Sequence, residues 1–109
     1  MKSIPGVSFI IPTYNCKKYI DRAIKSVFDQ NLPDFEIIII DDASTDGTSA
    51  HLKKTYKENT NIILITNKVT KRTGASRNLG IKKASKDYIF FLDADDWLKS
   101  NSVLQLLTL

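Results

Sequence analysis

Phe35-Glu36-Ile37-Ile38-Ile39-Ile40-Asp41-Asp42 is the stretch on which the fold turns. Its apolar run, Ile37 to Ile40, is β-branched throughout and too short for a helix, the pattern of a strand covered on both faces. Two carboxylates stop it. A strand of this kind needs helices above and below, and the flanking sequence supplies them. Upstream, Val7 to Ile11 reads as another buried strand, ended by Pro12. Between the two, from Lys17 to Gln30, Ile20, Ala23, Ile24, Val27 and Phe28 recur on one face of a helix, which Asn31 and Pro33 end.

Downstream, Ser44-Thr45-Asp46-Gly47 carries turn and N-cap chemistry and opens a weaker helix to about Glu58. Ile62 to Ile65 is a third strand, Asn67 to Thr73 a basic loop, and Gly74 to Ser85 a helix. Tyr88 to Leu92 is a fourth strand, and Asn101 to Leu109 starts another helix. Strands and helices in alternation predict an α/β fold, a mainly parallel sheet with helices on both faces and right-handed crossovers, as one domain over residues 1–109. In such sheets ligands bind beyond the carboxyl ends of the strands. Thr13-Tyr14-Asn15, Asp41-Asp42, Asn67 to Arg77 and Asp93 to Asp96 all fall there.

Composition narrows the chemistry. The 109 residues carry 16 Lys plus Arg against 12 Asp plus Glu, a formal net charge of +4. That balance suits an anionic ligand such as a nucleotide, or weak contact with an acidic membrane surface, and is too mild and scattered to argue for nucleic acid. One cysteine, Cys16, excludes an internal disulfide framework and a zinc knuckle. No apolar run approaches the roughly 20 residues of a membrane span, and Met1 to Pro12 lacks the pattern of a secretory leader. The expected location is the cytoplasm.

The sharpest cluster is Phe90-Phe91-Leu92-Asp93-Ala94-Asp95-Asp96. In an extended segment Asp93 and Asp95 share a side and Asp96 faces away. Two carboxylates about 4 Å apart repel by roughly 4 kcal/mol at an effective dielectric near 20, and a hard divalent cation, Mn²⁺ or Mg²⁺, offsets this. Asp96 alone fits helix capping. Asp41 and Asp42 alternate to opposite faces, so one is expected to meet a ligand and the other to order the loop; a carboxylate there can accept a ring N–H from a base. Arg77, one turn into its helix, is placed to bind a diphosphate. Lys68 and Lys71 read as solvated, Arg72 completes the basic loop, Tyr14 stacks on a base or packs, His51 lies on a helix surface, Cys16 is a small buried hydrophobe, and Trp97 anchors the last helix to the core.

Four segments taken together, Val7 to Asn15, Phe35 to Gly47, Gly74-Ala75-Ser76-Arg77-Asn78-Leu79-Gly80 and Tyr88 to Asp96, resemble family 2 glycosyltransferases, in order along nearly the whole chain. The resemblance implies a Rossmann-like GT-A nucleotide-binding half and inverting transfer of a sugar from a nucleoside diphosphate donor, with UDP favoured, to a saccharide or lipid-linked acceptor. It places Pro12, Thr13 and Tyr14 in the nucleotide pocket, Asp42 on the base with Asp41 assisting, Arg77 near the base or diphosphate, Asp93 on the ribose or the metal shell, and Asp95 on Mn²⁺ or Mg²⁺. Ala43 departs from the glycine common in relatives. Only Trp97 to Leu109 follow the metal motif, so the resemblance implies a donor-binding part that lacks the acceptor half and its general base. Two other classes compete. One is a nucleotide- or partner-binding module without turnover. The other is a haloacid dehalogenase-type phosphatase with Asp93 as nucleophile, against which Trp97 stands where Thr or Val is expected.

Overall fold

The computed structural model describes residues 4–108, apart from the side chains of Arg72 and Thr73. The expectations for Arg72, and for Leu109 as part of the last helix, fall outside what is described. The order is β1 (Val7–Thr13), α1 (Ile20–Phe28), β2 (Phe35–Asp42), α2 (Thr48–Thr55), β3 (Ile62–Asn67), α3 (Arg72–Lys83), β4 (Tyr88–Phe91) and α4 (Ser102–Leu107). The four strands form one sheet in the order β3-β2-β1-β4, and every neighbouring pair is parallel.

The period of two along each strand divides the core. Val7, Phe9 and Ile11 of β1, with Ile37 and Ile39 of β2, face α1, α2 and α4. On that side Ile20, Ala23, Ile24 and Val27 of α1 are buried together with Leu52 of α2 and Val103 of α4. Ile10, Ile38 and Ile40 face the other way, toward Leu79 of α3. There α3 comes so close that a Cβ on Gly80 would lie 2.4 Å from Ile10 Cγ2; only a glycine lets the helix sit on the isoleucines without displacing them. The half-buried His51 lies not on an open surface but at the α1–α2 seam, with Nε2 2.8 Å from Asp21 Oδ2.

Element ends moved for physical reasons. Pro12 does not end β1. Leu92 N–H donates to Ile10 C=O, and Pro12 faces the same edge two residues on, where β4 has already ended at Phe91. Its missing N–H therefore costs no ladder bond. Helix α1 starts at Ile20 rather than Lys17 because the preceding residues lace two loops together. Asn15 N–H donates to Ser44 Oγ, Thr45 N–H to Asn15 Oδ1 and Lys17 N–H to Asp46 Oδ2. Helix α3 starts before Gly74, which sits in open space, and Lys71 N–H caps onto Asp42 Oδ1 at 2.8 Å.

Candidate functional site

The chain steps outward from β1 to β2 to β3, then returns to place β4 on the other side of β1. The strand order therefore reverses between β1 and β4, and a crevice lies at their carboxyl ends, the switch point at which parallel α/β sheets hold ligands. A cleft of about 200 Å³ lies there. Pro12, Thr13, Tyr14 and Cys16 come from the end of β1, Asp42 from β2, Ser76 from α3, and Asp93, Ala94 and Asp95 from the loop after β4. Six residues expected from sequence to bind nucleotide or metal meet in this one cleft: Pro12, Thr13, Tyr14, Asp42, Asp93 and Asp95.

Alternation separates the β2 acids as expected. Asp42 turns toward α3 and into the cleft; buried, it accepts from Asn67 Nδ2 at 2.9 Å and from Lys71 N–H. Asp41 does not line the cleft. It is buried behind it, accepts the Ser44 hydroxyl, and leaves Oδ2 without a hydrogen-bond partner among the described residues. Ala43 between this pair and the turn holds φ at +60°. That sign of φ is one a glycine adopts without the strain a Cβ brings.

The Asp93–Asp96 loop is not extended. Asp96 N–H donates to Asp93 C=O at 2.9 Å, closing a turn that brings Asp96 beside the other two. One carboxylate oxygen each of Asp93, Asp95 and Asp96 lies within 4.8 Å of the others. This corrects the view that Asp96 faces away, and Asp96 caps nothing, since the next helix begins at Ser102. All three are exposed. Their one charged partner among the described residues is Arg77, whose Nη2 lies 3.9 Å from Asp93 Oδ1 while its guanidinium sits 5.5 Å from the Phe91 ring centre. Because α3 starts at Arg72, Arg77 stands further into the helix than expected, at the rim beside Asp93 rather than over the helix terminus. Three hard oxygen donors at this spacing fit a divalent cation of the Mg²⁺ or Mn²⁺ type.

Other residues also stand apart from expectation. Cys16 is only partly buried and forms cleft wall; burial pushes its thiol above its ordinary pKa, and the nearby Asp95 and Asp46 charges add to that. Trp97 is 59% exposed and anchors nothing. The fully buried Gln30 does that work, donating from Nε2 to Lys99 C=O and accepting Val103 N–H on Oε1. Tyr14 is 53% exposed and packs into no core. Lys68 and Lys71 are exposed, as expected. Ser76 was missed: its Oγ is buried at the cleft without a partner among the described residues. The signal for it was the helical position next to Arg77, which alone does not say which way a serine points.

Fold and cleft together define an α/β domain of the GT-A type. Residues 8–109 match the profile of Glycosyl transferase family 2, and the chain belongs to that family. It is 38% identical over 103 residues to Escherichia coli chondroitin synthase, covering 94% of this chain and 15% of that protein. It is 37% identical over 102 residues to the poly(ribitol-phosphate) beta-glucosyltransferase of Bacillus spizizenii, covering 91% of this chain and 16% of the relative. Among solved structures, S. aureus TarS 1–349 in complex with UDP-GlcNAc superimposes with a TM-score of 0.82 at 31% identity, over 94% of this chain and 30% of the other. The chain thus spans well under half the length of these proteins. No helix among the described residues is long and apolar enough to cross a membrane.

Proposed function

We propose that this chain is the donor-binding part of an inverting glycosyltransferase that moves a sugar from a UDP donor to a hydroxyl of a saccharide or lipid-linked acceptor. The observation that carries this reading is the gathering of Tyr14, Asp42 and the Asp93/Asp95 pair in one cleft at the switch point. The UDP-GlcNAc complex of TarS supports the choice of donor. The relatives named for chondroitin and poly(ribitol-phosphate) support a polymeric acceptor. On this reading the protein works in the cytoplasm, at the inner membrane face, where charged donors and lipid-linked acceptors meet.

Each residue has a part. Asp42, an acceptor held by Asn67 and Lys71, takes a ring N–H of uracil, and the exposed Tyr14 ring stacks on the base. Thr13 donates its hydroxyl to Ile11 C=O at 3.1 Å and so offers lone pairs outward to the nucleoside; Pro12 shapes the floor beside it. Asp41 orders the loop that presents Asp42. Arg77 balances diphosphate charge at the rim. Asp93 and Asp95, with Asp96 beside them, hold Mn²⁺ or Mg²⁺, which when bound supplies Lewis-acid stabilisation to the departing diphosphate. No general base is assigned to this chain.

Calorimetric titration tests the reading. The expected result is saturable heat on adding UDP in the presence of Mn²⁺, greatly reduced without the metal. A folded sample giving no heat with UDP or any other nucleoside diphosphate refutes donor binding.

A further inference from the structure

A second cavity, about 620 Å³, shares no lining residue with the donor cleft. One wall is α1, which turns Arg22, Lys25 and Asp29 to it, a stripe at helical spacing beside the buried face. The other wall is the irregular segment carrying Trp97, Lys99 and Ser100. Segments without regular structure seldom keep a cavity open unless something holds them, and here one end is tied to α1 and the other to the turn just after it. Arg22 Nη2 donates to Asp95 C=O at 2.9 Å, and Gln30 Nε2 donates to Lys99 C=O at 2.9 Å. The volume falls within the range of about 300–1,000 Å³ that small-molecule sites occupy.

Its chemistry is selective. Lys25 and Asp29 pair at 2.8 Å and cancel. Arg22, whose guanidinium also lies 5.8 Å from the Tyr19 ring centre, and Lys99 have no carboxylate at ion-pair distance among the described residues, so the lining itself carries a positive excess beside the acidic loop. Beside them the Trp97 indole stands 59% exposed, a large apolar face held in water at a cost that packing it into the core would have avoided. A pyranose ring presents a face of C–H groups that stacks on such an indole and an edge of hydroxyls that reaches Ser100, and an acidic substituent on it answers the two cations.

We propose that this cavity binds an acidic sugar unit of a glycan, as a site separate from the donor cleft. It rests on the proposed function only in that the protein acts on saccharides. Arg22 places the occupant one backbone carbonyl away from the metal-binding loop.

Trp97 is the chain's one tryptophan, so its fluorescence, excited selectively over tyrosine, reports the cavity directly. Tetragalacturonate and a hyaluronan tetrasaccharide are the acidic probes, maltotetraose is the neutral one, and inorganic phosphate tests for a bare anion site; each is titrated with and without UDP and Mg²⁺. The expected result is a saturable change with at least one acidic probe, weakened about fivefold or more by Lys99→Glu, and little response to maltotetraose or phosphate. Lys99→Glu should leave the UDP titration unchanged. Three results overturn the proposal: no saturable change with either acidic probe, an equal response to maltotetraose or phosphate, or undiminished acidic-probe binding in Lys99→Glu. Failure of UDP to bind while the acidic probes still titrate Trp97 would sink the donor reading and leave this one standing.

Discussion

Strands β2 and β4 lie on either side of β1 and both run out into acidic residues, but the two acidic groups have opposite physical states. Asp41 and Asp42 are buried, at 1% and 7% exposure, and the polypeptide itself engages them through Ser44, Asn67 and Lys71. Asp93, Asp95 and Asp96 are exposed and crowd within 4.8 Å, with Arg77 at 3.9 Å as their nearest counter-charge among the described residues. The first group belongs to the folded state and, through Asp42 on the proposed reading, to the ligand as well. The second adds nothing to packing; in water its mutual repulsion is screened and tolerable, and the proposed cation would relieve it. Substitutions should therefore separate binding from stability at β4 and damage both at β2.

The largest effect is expected from Asp95→Asn. UDP binding in the presence of Mn²⁺ should fall about a hundredfold, about 2.7 kcal/mol, while the melting temperature stays nearly constant because an exposed, unpaired carboxylate contributes little to folding. Calorimetry beside a thermal melt checks both. A large drop in melting temperature would break the contrast, since it would show the β4 acids to be structural.

Asp42→Ala comes next. It removes the acceptor of Asn67 Nδ2 and of Lys71 N–H, and leaving buried donors unmatched costs about 1–3 kcal/mol. For a domain of this size that corresponds to a melting-temperature loss on the order of 10 °C, measurable by circular dichroism, together with weaker UDP binding. Unchanged stability with lost binding would move Asp42 into the same class as Asp95.

How much of this contrast could be read beforehand follows from what each feature depends on. The alternation of Asp41 and Asp42 was legible because a strand has a period of two and Ile37 to Ile40 leave no doubt about its phase. The buried centre of the sheet was legible for the same reason. The Asp93–Asp96 turn was not, because a loop's path depends on hydrogen bonds such as Asp96 N–H to Asp93 C=O, and local spacing assumed an extended chain. Gln30 took the role expected of Trp97: size suggested that the tryptophan anchors the last helix, but the segment needed its backbone groups satisfied, and the amide of a fully buried glutamine supplies both a donor and an acceptor. The convergence of the cleft was foreseeable only as four loops at one edge. That β4 returns to the far side of β1, making a switch point, is a matter of strand order, which no local pattern records.

The amino end of β2 extends the comparison to pH. Glu36 is buried on the α3 side and accepts from Ser8 Oγ at 2.6 Å and from Ser85 N–H at 2.7 Å. Burial alone would raise its pKa, but these hydrogen bonds, a further one from Ser85 Oγ, and the charge of Lys86 outweigh burial and hold the carboxyl below the ordinary glutamate range. A group whose pKa is lower in the folded state contributes stability above its unfolded value, near 4.3, and loses it as pH falls through the lower folded value. Thermal melts of the wild type should therefore weaken below about pH 4, and Glu36→Gln should be less stable at neutral pH with a flatter acid limb. An acid limb unchanged by Glu36→Gln would assign the loss to other carboxylates, Asp46 first, which the Thr48 hydroxyl hydrogen bond holds below the ordinary aspartate range.

The smallest effect sharpens the comparison most, because it concerns a group that neither strand end explains. Ser76 Oγ is buried at the cleft with no partner among the described residues, and an unmatched hydroxyl is a cost to the folded protein unless a ligand or water meets it. Ser76→Ala removes that cost and improves helix propensity, so stability should hold or rise by a few tenths of a kcal/mol. If the hydroxyl serves the bound donor, UDP affinity should nonetheless fall about fivefold or less, the size of one neutral hydrogen bond. Stability up and affinity down in the same variant is the mark of a group kept for binding, the state assigned to the β4 acids but inside the buried wall of the cleft. Stability up with affinity unchanged would leave Ser76 as a packing residue whose hydroxyl water satisfies.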